Sequence, residues 1–298
     1  MATAIEWTEE TWNPTTGCTK VSPGCAHCYA ETLTKRYAGR PGWPETFEPW
    51  IPGNDTVVLH PDRLDAPLRW KKPSRVFVNS MSDLFHEYVP DEFIDRVFAV
   101  MALTPQHTFQ VLTKRPERMR EYMTAERTAH FADGSPVTPR NPYHSADFVL
   151  WAAQAICEAD GVVKREYPDG YTFDWPLENC WLGVTVENQH FTDERIPILL
   201  DTPAAIRFIS AEPLLGPVDI TFPGRLLPSD LEPRIDWVIC GGESGAKARP
   251  FNANWARDLL QQCSYNRTPF FMKQLGGFRP GNALEDLPED LRVREYPS

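Results

Sequence analysis

Three cysteines lie close together near the start of the chain, at Cys18, Cys25 and Cys28. Their spacing is C-x6-C-x2-C, and the glycine and proline residues around them suit a loop that wraps round something compact. Three thiolates can hold three irons of a [4Fe–4S] cluster and leave the fourth iron open to an outside ligand. Because such incomplete ligation separates a catalytic cluster from one that only carries electrons, the spacing predicts a catalytic [4Fe–4S] site.

Zinc is the main alternative for these cysteines, because a Cys3His set is a common structural zinc site. His27 lies between Cys25 and Cys28, where its side chain is expected to point elsewhere, whereas His60 or His86 could reach in from another loop. A third alternative is three reduced, unligated thiols. The sequence favours a cluster over zinc, and zinc over unligated thiols.

The other four cysteines are scattered singly, at Cys157, Cys180, Cys240 and Cys263. Isolated cysteines usually behave as small buried hydrophobes, and disulfides are not expected in a cytoplasmic chain. We therefore assign no chemistry to these four.

Short apolar runs that alternate with helical patterns give the elements that must position the cysteines. Strands are predicted at 76–78, 108–112, 181–186, 206–209, 237–240 and 270–272, with an extended segment at 11–15 ahead of them. Helices are predicted at 91–103, after Pro116, at 146–158 and at 252–263.

This alternation implies βαβ units and a parallel sheet. Six or seven repeats predict an α/β fold with a partial or full TIM-like (β/α) barrel. We expect one domain over 1–298, with an irregular excursion at 39–73 and an insertion at about 124–179.

Charged residues follow the predicted strands, in loops that share one face of a parallel barrel and collect its chemistry. They are Lys114, Glu187, Glu212, Glu243 and Lys273. One polar residue after a strand is explained by helix capping, but five charges are more than capping requires. The pattern predicts that these side chains surround one opening.

The charge of the chain limits its partners. The 298 residues carry a formal net charge of −11, which argues against non-specific binding of nucleic acid, because neutralising phosphates needs clustered Lys and Arg. No apolar run has the length of a membrane span, and the N-terminal residues lack the basic start and apolar stretch of an export signal. We expect a cytoplasmic protein with no membrane partner.

The segment N-P-x-x-G-C at 13–18 is followed by C-x-x-C-Y-A at 25–30. Together they resemble the cluster loop of radical S-adenosylmethionine enzymes, especially the branch that contains spore photoproduct lyase. The usual spacing there is C-x3-C-x2-C, so this chain has three extra residues between the first two cysteines. His27 also stands where Tyr or Phe is more common.

This resemblance implies a cofactor and a mechanism. Cys18, Cys25 and Cys28 would anchor the cluster, S-adenosylmethionine would bind the open iron through its amino and carboxylate groups, and an electron donor would reduce the cluster. Reductive cleavage would give methionine and a 5′-deoxyadenosyl radical that abstracts hydrogen from the substrate, while the protein positions these groups and excludes water.

The resemblance also implies where S-adenosylmethionine is held. In that superfamily a polar run after the second strand holds the methionine amino group, and Ser80, Ser82 and Asp83 occupy that place here. The usual Gly-Gly-Glu of that run is absent, and the Gly-Gly-Glu at 241–243 follows a later strand. Glu187 and Ser210 are assigned to ribose or methionine contacts from their strand positions alone.

Further motifs extend over nearly the full length: Trp7 with N-P at 13–14, the cysteine segment, MSDLFH at 81–86, LTKRP at 112–116, GVTVE at 183–187, SAEPL at 210–214 and GGESG at 241–245. As a set they resemble a phage-associated family of unknown function that carries the same three-cysteine loop. That resemblance implies a fold and a cofactor class and names no substrate.

We expect a radical enzyme acting on a nucleic acid base, a modified nucleotide or a peptide; the spore-lyase likeness favours nucleic acid. The alternative is a nucleic-acid- or partner-binding protein without catalysis, in which zinc or a cluster is a structural staple. Its surface would use Trp43, Trp50, Trp70, Lys71 and Lys72. A metal-dependent hydrolase ranks last, because only His86 offers itself as a metal ligand at the strand ends.

Overall fold

Seven parallel strands form one curled sheet that frames the molecule. The structure, a computed structural model, describes residues 3, 5–40, 57–127, 143–160, 173–221, 234–279, 281 and 283–297. The sheet contains β1 (Glu10–Trp12), β4 (Arg75–Val78), β5 (Thr108–Thr113), β8 (Cys180–Thr185), β9 (Ile206–Ala211), β10 (Trp237–Gly241) and β11 (Phe270–Gln274), paired in that order. Every neighbouring pair is parallel, and the strands lie side by side in chain order, as they do in a (β/α) barrel. The curled sheet is therefore a half-barrel.

Two short antiparallel pairs accompany the sheet. They are β2 (Thr15–Thr16) with β3 (Val58–Leu59), and β6 (Glu126–Arg127) with β7 (Tyr143–His144). Strand β2 comes directly before the three cysteines in the chain, so its pairing with β3 fixes the start of the loop that carries them.

Helices connect the strands and cover the outer surface of the sheet. They are α1 (Tyr29–Tyr37), α2 (Asp91–Leu103), α3 (Pro116–Thr124), α4 (Ser145–Asp160), α5 (Gln189–Leu200) and α6 (Ala253–Asn266). Local sequence sets their beginnings: the side chain of Asn188 accepts the Phe191 N–H at the start of α5, and acidic residues occupy the first turn of α2. No helix in the described part of the chain is both long and apolar enough to cross a membrane.

Side chains alternate between the two faces of each strand. The outward residues pack with the helices into the main core, which includes Val76, Val78 and Phe109. The inward residues form a second cluster, which we call the aromatic floor: Trp7, Phe77, Phe208, Trp237 and Phe271.

The C-terminal segment closes the amino-terminal end of the half-barrel beneath the aromatic floor. Its backbone bonds along the edge of β11, where the Glu295 N–H donates to the Phe270 carbonyl at 2.9 Å. The Tyr296 hydroxyl then donates to the Glu6 carbonyl at 3.4 Å, and the Arg75 guanidinium lies 4.0 Å from the Tyr296 ring centre. This segment therefore links the two edges of the sheet.

The predicted α/β half-barrel is confirmed, and the six predicted strands correspond to β4, β5, β8, β9, β10 and β11. The alternative of a full barrel is not what forms, since β1 and β11 are the sheet edges in the described chain. The predicted strand at 11–15 is two strands, because Pro14 has no N–H to donate to a ladder.

The two predicted excursions are described in part. Helix α4 corresponds to the helix predicted at 146–158, while 128–142 and 161–172 of the predicted insertion lie outside the described residues. In the stretch 39–73, residues 41–56 lie outside them too, and the remainder holds β3 and two short 3-10 helices.

Candidate functional site

A cavity of about 240 Å³ opens at the carboxyl ends of the parallel strands. That is close to the lower limit of small-molecule sites, about 300 Å³. All three cysteines of the loop line it, together with the charged residues Lys114, Glu212, Glu243 and Lys273. Four of the five charges predicted around one opening therefore do surround it.

Two buried histidines fix the first part of the cysteine loop, which we define as residues 17–28. His60 Nε2 lies 2.8 Å from the hydroxyl of Thr16, and His86 Nε2 lies 2.9 Å from that of Thr19. His86 Nδ1 accepts the Tyr88 N–H at 3.2 Å, so its proton is on Nε2. Burial lowers the pKa of each histidine to about 4.

Neither of these histidines lines the cavity with the cysteines. Each is instead bonded to a threonine next to or within the cysteine loop. The geometry therefore counts against a Cys3His zinc site completed by His60 or His86.

An arginine connects Cys18 to the loops after β4 and β5. Arg115 Nη1 donates to the Cys18 sulfur at 3.5 Å and to Asp83 Oδ2 at 3.1 Å, while Nη2 donates to the Thr19 carbonyl at 3.1 Å. Asp83 also accepts the Thr113 hydroxyl at 2.7 Å. Asp83, which the resemblance assigns to S-adenosylmethionine binding, lines the cavity and also orients Arg115.

The middle of the loop is anchored to the end of β8 by Glu187, which is fully buried and is not among the residues that line the cavity. The Ser22 hydroxyl donates to Glu187 Oε1 at 2.5 Å, and Arg195 Nη1 lies 3.3 Å from Oε2. A Cβ added to Gly24 would lie 2.5 Å from Glu187 Oε1, so only glycine allows this approach. Glu187, predicted to contact ribose or methionine, holds the loop from behind the cavity wall.

A second carboxylate anchors the loop to the end of β10. Glu243 forms a two-pronged ion pair with Arg249 and lies 3.2 Å from His27 Nδ1. Arg249 Nη2 also donates to the Pro23 carbonyl at 2.9 Å. These bonds to Arg249 and His27 lower the pKa of Glu243 to about 2 despite its burial.

Two of the three thiols of the loop have a raised pKa. Burial, with the Asp83 charge, raises the pKa of Cys18 to about 12 against the opposing effect of Arg115. Burial also raises the pKa of Cys28, which caps α1 and meets backbone N–H groups of its first turn. Without a metal, Cys18 and Cys28 are therefore protonated at neutral pH.

In the described part of the chain, no three His, Cys, Asp or Glu side chains are already arranged around a metal position. The chemistry of the donor set nevertheless fits an iron–sulfur cluster. Three thiols of one loop line one cavity, and metal binding displaces the protons that burial retains. Cys18, Cys25 and Cys28 are the residues that would hold it.

The three predicted serines all line the cavity. The hydroxyl of Ser80 donates to Asn13 Oδ1 at 3.2 Å, and that of Ser82 donates to the Thr15 carbonyl at 2.9 Å. Ser210 is the last but one residue of β9. The structure therefore brings these serines and the cysteines to one cavity, whereas Glu187 lies behind it.

Sequence reasoning missed the arginines of the site. Arg195 is buried on the inner side of α5 and Arg249 lies in the loop after β10. Arg195 stands at a helix position where the sequence pattern would place an apolar residue, and this could have marked it as a buried functional residue. The sequence around Arg249 contains no such signal. Of the aromatic surface proposed for a binding protein, Trp43 and Trp50 lie outside the described residues and Trp70 packs against the core.

Fold and site together define an α/β half-barrel protein with a three-cysteine loop across the carboxyl ends of its strands. The chain belongs to the family described as protein of unknown function (DUF5131), whose model matches residues 2–292. Searches of curated proteins and of solved structures found no match.

Proposed function

We propose that this protein is a radical S-adenosylmethionine enzyme in which Cys18, Cys25 and Cys28 hold a [4Fe–4S] cluster. The observation that supports it most is the arrangement of the cysteine loop. Polar groups of the loop are bonded to residues at the ends of β4, β5, β8 and β10, and all three of its thiols line the cavity. A loop fixed in this way is a preorganised set of soft ligands.

The chemistry that the cluster and S-adenosylmethionine supply when bound is reductive cleavage to methionine and a 5′-deoxyadenosyl radical. The chain contributes positioning and electrostatics. Arg115 donates an N–H to the Cys18 sulfur, and hydrogen bonds to ligating sulfurs tune a cluster's reduction potential. Ser80, Ser82 and Ser210 are our assignments for contacts to S-adenosylmethionine.

Two lysines that line the cavity are held in place by neighbours. Lys114 Nζ donates to the Thr185 hydroxyl at 3.1 Å, and Lys273 Nζ pairs with Glu212 at 2.9 Å. Both are suited to a carboxylate or phosphate of a ligand. We propose a nucleotide or nucleic acid as the substrate, with an electron donor as partner and the cytoplasm as the location.

Anaerobic purification followed by iron, sulfide and zinc analysis tests the metal. We expect about four irons and four sulfides per chain. Cys18→Ala, Cys25→Ala and Cys28→Ala should each lose most of the iron, whereas Cys263→Ala, which removes a core thiol of α6, should keep it. Zinc in place of iron would refute the proposal.

Dithionite and S-adenosylmethionine, added to the iron-loaded protein, test the reaction. We expect 5′-deoxyadenosine from the wild type and none from the three loop variants. Iron and sulfide without this product would favour a structural cluster in a binding protein.

A further inference from the structure

The cavity wall carries buried polar groups that the described protein does not satisfy. Asn79 is 2% exposed, and neither its Nδ2 nor its Oδ1 has a hydrogen-bond partner. The indole Nε1 of Trp7, a residue also 2% exposed, has none either. Both residues line the cavity. Buried polar groups are normally bonded, because an unmade bond costs the full desolvation of the group.

The backbone conformation of Asn79 does not explain why this position carries an amide side chain. Asn79 follows β4 with a left-handed φ of 60°, which asparagine tolerates better than most residues. Its N–H donates to the Trp12 carbonyl at 2.8 Å, and its carbonyl accepts the Ser82 N–H at 3.2 Å. Glycine would serve this turn equally well, so the amide needs another explanation.

Three other residues with an unpaired buried side-chain atom differ from Asn79. Gln110, His107 and Arg195 each have one unpaired atom but use another in a bond; Gln110 Nε2, for example, donates to the Trp7 carbonyl. None of these three lines the cavity. Among described residues, only Asn79 leaves two side-chain atoms unpaired.

We propose that Asn79 and Trp7 form a recognition site for a nucleobase. A free amide presents a donor and an acceptor side by side, which matches the adjacent acceptor and donor on the edge of a base. The indole N–H supplies a donor for a further ring acceptor. Phe77 and Leu112, which also line the cavity, give a planar ring the apolar surroundings in which proteins hold an unstacked base.

A nucleobase fits this part of the cavity better than the other ligands with polar edges. The cavity lysines Lys114 and Lys273 are each bonded to a neighbour. The unpaired side-chain groups of Asn79 and Trp7 are neutral, so they suit an uncharged part of a ligand. A peptide amide shares the donor–acceptor edge, but it offers neither a flat ring to Phe77 nor a third acceptor to Trp7.

This site rests on the proposed function for its place in a reaction, but the binding itself requires no cluster. Calorimetric titration of the full-length, anaerobically purified protein with adenosine, cytidine, guanosine and uridine tests it. We expect at least one nucleoside to bind. Asn79→Gly should weaken that binding about tenfold or more, because glycine keeps the turn and removes the amide. Trp7→Phe, which removes the N–H, should weaken it about threefold.

Arg267→Gly is the matched control. Arg267 is the other described non-glycine residue with a left-handed backbone, at the end of α6, so this variant repeats the backbone change away from the cavity and should bind as the wild type does. Asn79→Asp keeps the shape of the side chain and replaces its donor, so it should weaken binding even if the glycine variant unfolds. Thermal unfolding of each variant verifies the fold.

Three results would overturn the proposal: no nucleoside binds, Asn79→Gly binds like the wild type, or N-acetylglycinamide binds as tightly as the best nucleoside. Two further probes identify the source of the base. Competition by S-adenosylhomocysteine would assign it to the cofactor, and tighter binding of a single-stranded trinucleotide would assign it to a nucleic acid; both results support the site.

A combined Cys18→Ala, Cys25→Ala and Cys28→Ala variant separates this inference from the proposed function. Nucleoside binding by that variant would support the base site whatever the metal content of the wild type. Iron and 5′-deoxyadenosine in the wild type, without nucleoside binding, would overturn the base site alone.

Discussion

The lower and upper levels of the half-barrel interior lie on the same strands but use them differently. At the lower level Trp237 packs against Phe208 and Phe271, with ring centres 5.8 and 6.1 Å apart, and its indole donates to the Glu295 carbonyl. Trp237 is thus packed at the centre of the aromatic floor with its indole N–H bonded, whereas the indole N–H of Trp7, where the floor meets the cavity, is unpaired.

Two residues further along three of the strands, the inward positions are Asn79, Ser210 and Lys273, which line the cavity. Side chains two residues apart on a strand point to the same face of the sheet. The packed and the open parts of the interior are therefore only two residues apart along each of these strands. The comparison shows that the residues of the aromatic floor pack mainly against one another, whereas the upper level holds polar groups that packing alone does not require.

Trp237→Ala tests the lower level. We expect the free energy of unfolding to fall by about 3–5 kcal/mol, because a fully buried indole leaves a cavity in the aromatic floor. Denaturant unfolding measures the loss. Ser210→Ala, one level up on the neighbouring strand, removes a single hydroxyl and should change the free energy of unfolding by less than about 1 kcal/mol. Equal losses in the two variants would contradict the comparison.

Glu243→Gln tests an anchor of the upper level. Neutralising a buried carboxylate that binds Arg249 and His27 should lower the free energy of unfolding by on the order of 1–2 kcal/mol and speed the loss of iron from the protein. Asp290→Asn is the control, since Asp290 forms a similar pair with Arg257 at an exposed site, where ion pairs contribute little. A control that behaves like Glu243→Gln would show that the anchor is not specific.

Acid should weaken the upper level through His60 and His86, whose pKa is lowered to about 4. In the unfolded chain they titrate near about 6.5, so between these pH values the unfolded state binds more protons and stability falls as the pH falls. Each contributes up to about 1.4 kcal/mol per pH unit. Denaturant unfolding at pH 7 and at pH 5 measures this loss of stability. The double variant His60→Gln, His86→Gln should lose less free energy of unfolding between the two pH values than the wild type does.

His190→Gln serves as the control for the acid experiment, because His190 is exposed on α5. Its stability should depend on pH as the wild type's does. A double variant that is as sensitive to acid as the wild type would assign the effect to other groups.

The strands were predictable because each is a short apolar run whose outward residues are buried under helices. The grouping of the three cysteines at one cavity was predictable, because three cysteines within eleven residues have few explanations other than a shared site. The contacts that anchor the cysteine loop were not predictable. In sequence, Asp83 and Glu187 look like ligand-binding residues. Only the structure shows that Arg115 bonds to the Asp83 carboxylate and that Ser22 and Arg195 bond to the Glu187 carboxylate. Nothing in the sequence distinguishes Asn79 from the other polar residues that follow strands.

The six-residue gap between Cys18 and Cys25 also became interpretable only from the structure. Three residues of that gap, Ser22 to Gly24, make the contacts with Glu187 and Arg249. The extra length therefore carries the loop across the mouth of the half-barrel.

These loop contacts join residues that are far apart in the chain. The bond from Ser22 to Glu187 spans 165 positions, and that from Arg249 to Pro23 spans 226. Contacts at such separation form late, since the entropy of closing the intervening chain must be overcome first. During synthesis the cysteines leave the ribosome early, but their loop takes shape only after β10 and the loop that follows it have been made. If the proposed metal centre requires the finished loop, it is inserted only after these later segments have been made, and not when the cysteines first leave the ribosome.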